Sequence, residues 1–275
     1  MAGKSIGFVL IAWIAGCASL MVPRTGERID LDGVINFRDI GGYAAGNGGR
    51  VVRGLVYRSD ALAEISDADR LRLNDFGVRT IVDLRAWQER NAARDRVPHS
   101  AFFLPHLPVG DPTFSPASLI REVATGQMAQ REVDARIVEK YRALASRPPR
   151  RLGEFIDILS SRARLPAIVH CSNGRDRTGA AVATLLLALG VPRDQVMADY
   201  LRSNEYLAAR AEEKLSAVPD SKREKLRPLY AVKPLYLEAF FEEIDKRWKT
   251  VDHFLERGLR VDAAAIDRLR KSLVE

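Results

Sequence analysis

The chain reads as an α/β protein, with a mainly parallel central sheet flanked by helices and a helical C-terminal portion. Three observations carry this. Short apolar, β-branched runs at Val78–Leu84 and Ala167–His170 are separated by helical patterns, and strands spaced in this way pair in parallel and are covered on both faces. The segment Ala180–Leu189 is apolar all round, which marks a helix buried on every side. From Pro192 onward the pattern is almost entirely helical.

Gly46 to Gly49, with Asn47, has the composition of a hairpin turn and leads into a strand over Val51–Tyr57. Ser66 followed by Asp67 and Asp69 marks a helix start, and Gly77 its stop. Val78–Leu84 is then a strand and Trp87–Arg94 begins a helix. Phe102–Leu104 is a short further strand before a Pro-rich loop, Pro105–Pro116. Arg131–Ser146 is a helix stopped by Pro148 and Pro149, and Leu152–Ser161 is the next. Pro166 is tolerated as the first residue of the strand Ala167–His170. Gly190 and Pro192 end the apolar helix that follows. With no repeat, low-complexity run or second linker after Ile29, residues 30–275 form one domain.

The 275 residues are 47% hydrophobic and 29% charged, ordinary for a soluble globular domain, with a formal net charge of +7. Basic balance suits nucleic acid, an anionic membrane surface or anionic substrates. The arginines are scattered through predicted helices rather than run together. No nucleic-acid partner is expected, and phosphorylated or lipid-surface substrates are the better use of the charge. With four His and two Cys, and no zinc-type spacing among them, neither a metal nor a cofactor is expected.

Residues 1–17 have the pattern of a secretory signal: Lys4, then an apolar run from Ile6 to Ala15, then small residues before Cys17. The apolar run is too short to span a bilayer. The ending Ile14-Ala15-Gly16-Cys17 resembles the bacterial lipoprotein box, which implies lipidation of Cys17. Residues 18–29 then form a tether. The expected location is exported and membrane-anchored, facing the periplasm, on the outer membrane for a Gram-negative source with Ala18 in the next position.

The chemistry concentrates in the ten residues that begin with the last residue of the strand Ala167–His170: His170-Cys171-Ser172-Asn173-Gly174-Arg175-Asp176-Arg177-Thr178-Gly179. Strand, tight loop and helix follow one another, and such a loop gathers its backbone N–H groups around one point at a helix N-terminus. That cradle binds a tetrahedral oxyanion, because the free helical N–H groups and the helix dipole both favour negative charge. A sulfur at its floor, Cys171, has its pKa lowered by the same field and becomes a thiolate nucleophile. Arg177 supplies a planar two-pronged donor for phosphate oxygens. The cradle residues are Ser172, Asn173, Gly174, Arg175, Asp176 and Arg177, with Gly174 permitting an inward backbone bend. Thr178 can hydrogen-bond the sulfur or cap the helix, and His170 is either structural or an orienter of the loop.

The run HCSNGRDRTG resembles the signature loop of the cysteine-dependent protein tyrosine phosphatases, H-C-x5-R-[ST]-G. It is similar in particular to a bacterial branch with the loop HCxxGKDRTG, which includes tyrosine, dual-specificity and phosphoinositide phosphatases. Agreement extends to Asn36–Tyr43, Val56–Ser59, Ile81–Arg85 followed by Glu89, Asp199–Leu201 with Ser203 and Asn204, and the tail around Phe254–Leu259. The resemblance implies a cysteine-phosphatase-type fold and hydrolysis of phosphomonoesters through a cysteinyl-phosphate, on phosphotyrosine before phosphoinositides or inositol phosphates. It also implies the general acid: Asp176, which the branch carries at that position. Asp83 at the end of a strand and Asp111 on the Pro-rich loop are rivals. Arg175 departs from the Lys usual in the branch. Arsenate reduction would need a second free thiol, and sulfur transfer is disfavoured by the Arg-Thr-Gly ending. A non-catalytic phosphate-binding module is the alternative outside enzymes.

Overall fold

A computed structural model of the protein describes residues 25–110, 116–147 and 150–275. The signal pattern, Cys17, residues 18–24 of the tether and Asp111 lie outside the described residues. Residues 25–29 do not behave as a tether. Ile29 N–H donates to the Phe37 carbonyl at 2.9 Å, and Tyr206 hydroxyl donates to the Gly26 carbonyl at 2.7 Å, so this segment is already part of the domain.

The sheet has four strands in the order β1 (Arg38–Asp39), β2 (Val56–Ser59), β4 (Ala167–His170) and β3 (Thr80–Asp83). β2 and β3 both run parallel to β4, and β1 is antiparallel to β2. Period-two alternation sorts the sheet into two faces. Tyr57, Ile168 and Ile81 are in register and meet Phe37, Leu73 and Val78 on one side. Val56, Val82, Ala167 and Val169 face the larger core on the other. Full burial of one side chain such as Ile168 contributes roughly 1.5–3 kcal/mol, so a one-residue slip of the central strand would be prohibitive.

The first face is covered by α1 (Asp67–Asp75), whose start is a capping box: Asp69 N–H donates to Ser66 Oγ, and Ser66 N–H to Asp69 Oδ2, each at 3.0 Å. α2 (Trp87–Ala92) follows β3. The second face is covered by α4 (Gln130–Ser146), α5 (Arg150–Leu159), α6 (Asp176–Ala188), α10 (Pro234–Trp248) and α12 (Ala263–Leu273). Every residue of α6 from Thr178 to Ala188 is buried, as the all-apolar run requires. A separate cluster of Leu119, Val123, Val133, Leu215 and Leu226 joins α3 (Pro116–Ala124) and α4 to α8 (Ala208–Ser216) and α9 (Asp220–Leu226). α7 (Arg193–Tyr206) leads into α8, and α11 (Val251–His253) runs into a π-turn at Phe254–Gly258.

Three expectations change. Val51–Tyr57 is not one strand: Val51 bridges Val274, a turn with Gly54 at φ 73° interrupts the run, and pairing resumes at Val56. Phe102–Leu104 is reduced to one isolated bridge, Phe103 to Thr80, with a second beyond it, His106 to Asp83. Pro105 lies between them, and a residue without N–H cannot donate to a ladder. The segment read as a Pro-rich loop to Pro116 is followed directly by α3, which the sequence reading left out.

Candidate active site

β4 ends at His170, and α6 begins at Asp176, so the five residues between them turn at the carboxyl edge of the sheet. Gly174 has φ 64°, and a Cβ there would lie 2.4 Å from the Ser59 carbonyl oxygen. Only glycine fits that backbone. Gly179 is as confined, with a built Cβ 2.8 Å from the Tyr200 ring, which lets the first turn of α6 lie against α7.

The Cys171 thiol is buried at the start of this loop. Burial alone would raise its pKa, yet the charge of Arg177 and the hydroxyl and N–H of Thr178 bring it below the ordinary value. The Thr178 hydroxyl is itself buried, with no other partner among the described residues. The sulfur is therefore biased toward thiolate, as a nucleophile requires.

Arg177 is held from outside the loop by a residue whose part sequence reasoning missed. Its two terminal nitrogens pair with the two carboxylate oxygens of Glu89 on α2, one of them at 2.7 Å. Ser172 Oγ donates to Glu89 Oε1 at 2.5 Å. Burial opposes ionisation of Glu89, but the Arg177 contact outweighs it and brings the pKa down to about 2. Glu89 was visible in the sequence only as part of the resemblance, with no signal that a residue 88 positions away would meet Arg177.

Asp176 opens α6 and is partly exposed, with 29% of its side chain accessible. Its Oδ1 accepts from Tyr141 hydroxyl at 3.2 Å, and Tyr141 and Tyr200 hydroxyls are 2.8 Å apart. Burial would raise the Asp176 pKa, but Arg175, Lys140 and the Tyr141 hydrogen bond lower it. Lys140 on α4 lies within electrostatic reach of Asp176, Arg177, Cys171 and Arg175, and its own pKa is lowered, by burial above all. Arg175 donates from Nη2 to the Leu229 carbonyl at 3.3 Å. Neither Lys140 nor Tyr141 carried a motif that could have announced it.

Asp83 is brought under the site but not to its mouth. Its carboxylate is engaged by Arg85, Nε to Oδ1 and Nη2 to Oδ2, each at 2.9 Å. Both carboxylate oxygens are thus taken up by one guanidinium, and the side chain is buried beneath the loop, away from where a leaving group would stand. His170 is fully buried, its Nε2 3.3 Å from Asp95 Oδ2. Burial would lower its pKa, and the Asp95 contact reverses the direction and raises it. Asp83, Asp95 and His170 converge closely enough to form a metal-type donor set. Arginines stand among them: Arg85 Nη2 is 2.9 Å from Asp83 Oδ2 and 2.7 Å from Asp95 Oδ2, and Arg90 Nε is 3.7 Å from Asp83 Oδ2. The cluster supports His170 at the strand end, directly before Cys171.

Comparison with known proteins agrees with this geometry. A family model described as the tyrosine phosphatase family matches residues 29–275. A protein assigned as a tyrosine-protein phosphatase in Cupriavidus necator is 31% identical over 271 residues, covering 94% of this chain and 97% of that one. The triple specificity protein phosphatase PtpB of Mycobacterium tuberculosis is 29% identical over 281 residues, covering 89% of this chain and 98% of its own. The thiol beneath a helix N-terminus is thus set in a chain that matches the family along nearly its whole length, and the chain belongs to the tyrosine phosphatase family.

Proposed function

We propose that Cys171 attacks the phosphorus of a phosphotyrosine side chain and carries the phosphoryl group as a cysteinyl-phosphate. The observation that carries this is the buried Cys171 sulfur, held toward thiolate by Arg177 and Thr178 at the N-terminus of α6. The sulfur–phosphorus bond forms as the bond from phosphorus to the phenolic oxygen breaks. The loop N–H groups and Arg177 take up the charge on the three transferred oxygens.

The departing phenolate needs a proton, and Asp176 is the carboxyl group of the loop placed to give it. Before substrate enters, the surrounding cations hold the Asp176 pKa below the ordinary value and favour its carboxylate form. Entry of a doubly charged phosphate reverses that balance and favours the protonated acid. After the first step Asp176 is a carboxylate again and takes a proton from water. That water attacks phosphorus, and the sulfur leaves as thiolate with help from the Thr178 hydroxyl. The products are a phenol and inorganic phosphate, with the enzyme restored.

A second reading, hydrolysis of phosphoinositides or inositol phosphates, is favoured by the cations beside the loop. Arg175 and Lys140 add positive charge next to Arg177 and suit a substrate with more than one anionic group. Export and anchoring through a lipidated Cys17 complete the proposal and rest on the sequence pattern of residues 1–17. Wild-type protein in membranes and Cys17→Ala protein in the soluble fraction are the expected result, and membrane retention of the variant would refute the anchor.

The decisive assay is phosphate release by the purified domain from phosphotyrosine peptide, phosphoserine peptide and phosphoinositide vesicles, with Cys171→Ser as blank. Release from phosphotyrosine that vanishes in the variant supports the main reading, and dominant release from the vesicles supports the second. Folded protein with no Cys171-dependent release leaves a phosphate-binding module.

A further inference from the structure

The back of the catalytic loop is held by residues outside it. Asn36, which precedes β1, donates from Nδ2 to the carbonyls of Asn173 and Gly174, each at 3.1 Å. Arg58 of β2 donates from Nη2 to the same Gly174 carbonyl at 2.7 Å. A peptide group is planar and trans, so its carbonyl and the following N–H point in opposite directions. Drawing the carbonyls of residues 173 and 174 backward therefore turns the N–H groups of Gly174 and Arg175 forward, toward the phosphate.

These holders are themselves oriented. Asp199 of α7 pairs with Arg58 Nη1 through Oδ2 and with Arg38 Nε through Oδ1, the latter at 3.0 Å. Arg38 Nη2 donates to the Asp199 carbonyl at 2.8 Å, and its Nη1 to Asn36 Oδ1 at 2.5 Å. That last bond selects one of the two orientations of the Asn36 amide, the one with Nδ2 facing the loop. All four side chains are buried, at 0–1% exposure. Burial, and then repulsion from Arg58, lower the Arg38 pKa to about 10, which leaves it charged at neutral pH. Two guanidinium groups against one carboxylate put one net positive charge behind the loop.

We propose that Arg58 and Asn36, oriented by Asp199 and Arg38, are positioning residues for phosphoryl transfer. They aim the Gly174 and Arg175 amides at the transferred phosphate, and their cluster supplies a fixed positive field from the rear. This rests on the reading of Cys171 as nucleophile. A role confined to packing would cost stability but would leave the loop's affinity for anions and the reactivity of its thiol unchanged in the folded protein.

The test uses the described domain with Asn36→Ala, Arg58→Lys and Arg58→Met. Three quantities are read beside thermal midpoints: kcat and KM on a phosphotyrosine peptide, inhibition by inorganic phosphate, and the pH dependence of iodoacetamide alkylation at Cys171. Asn36→Ala is expected to lower kcat about 10–100-fold, less than loss of a whole oxyanion donor, and to weaken phosphate inhibition. Arg58→Met is expected to move the alkylation profile to higher pH, and Arg58→Lys, which keeps the charge but not the fork, to restore that profile in part. Wild-type kcat, phosphate affinity and alkylation profile in folded Asn36→Ala and Arg58→Lys would overturn the proposal. Failure of the nucleophile reading is separable, because it would show as wild-type turnover that survives in Cys171→Ser.

Discussion

Two arginine–carboxylate clusters grip the catalytic loop from opposite sides, and they differ in what surrounds them. Behind it, Arg38 and Arg58 share Asp199 at 0–1% side-chain exposure. At the mouth, Arg177 pairs with Glu89 at 15% and 32% exposure. The rear cluster is dry and bonded to the backbone carbonyls of Asn173 and Gly174. The front cluster borders water, and on the proposed reading its guanidinium shares its donors with an incoming phosphate. The same pair of functional groups thus makes a fixed frame in one place and an exchangeable contact in the other. Desolvation decides which, because a charge without water depends wholly on its protein partner.

The comparison is broken most forcefully at Asp199. Asp199→Asn leaves two buried guanidinium groups without their anion and is expected to cost about 3–5 kcal/mol, read from urea midpoints. A loss below about 1 kcal/mol would mean that water reaches the rear cluster. Arg177→Lys comes next: a point charge replaces the fork, and kcat should fall about 10²–10³-fold with little change in the midpoint.

Glu89→Gln is expected to be milder in stability, at most about 1 kcal/mol as for a half-exposed pair, with its main effect on catalysis. Freed from its clamp, Arg177 should hold phosphate less well aligned, raising KM and lowering kcat several-fold in steady-state assays. A stability loss equal to that of Asp199→Asn would erase the distinction between front and rear.

The smallest effect is in acid. Glu89 and Asp199 both have folded-state pKa values of about 2, below their ordinary 4.5 and 3.8. Between those limits the unfolded chain binds more protons, so stability is present above the ordinary values and is lost as pH falls toward 2. Midpoints measured at pH 5, 4 and 3 should show this decline. Either substitution should flatten it, Asp199→Asn through the lower part of the window and Glu89→Gln from about pH 4.5 downward.

Much of the loop was legible in the chain. Cys171, Arg177 and Gly174 lie within seven residues, and a helix N-terminus after a strand has the same electrostatics wherever it occurs. Strand β4 has the bounds its apolar run predicts, and α1 starts at the Ser66 cap. Helix α3 was hidden because it directly follows a Pro-rich stretch, and its start at Pro116 read as the end of a loop. Val51–Tyr57 was misread because the strand-forming residues on either side outweighed Gly54, where the chain turns.

The partners of the loop were a different matter. Asn36, Arg58, Glu89 and Asp199 stood in the sequence as familiar segments, but nothing local joined them to residues 171–177.

By itself, then, the chain determined the thiol at the start of the loop, the guanidinium at its end, the glycine that lets the loop bend and the alternation that buries the central strand. These depend on neighbours within a few residues, where spacing and chemistry suffice. Tertiary structure alone decided that Glu89 grips Arg177 across 88 positions, that Asp95 meets His170, and that Asn36 and Arg58 hold the loop from behind. An ion pair or an amide orientation depends on distance and on exclusion of water, and both come into being only when the sheet and its helices have packed.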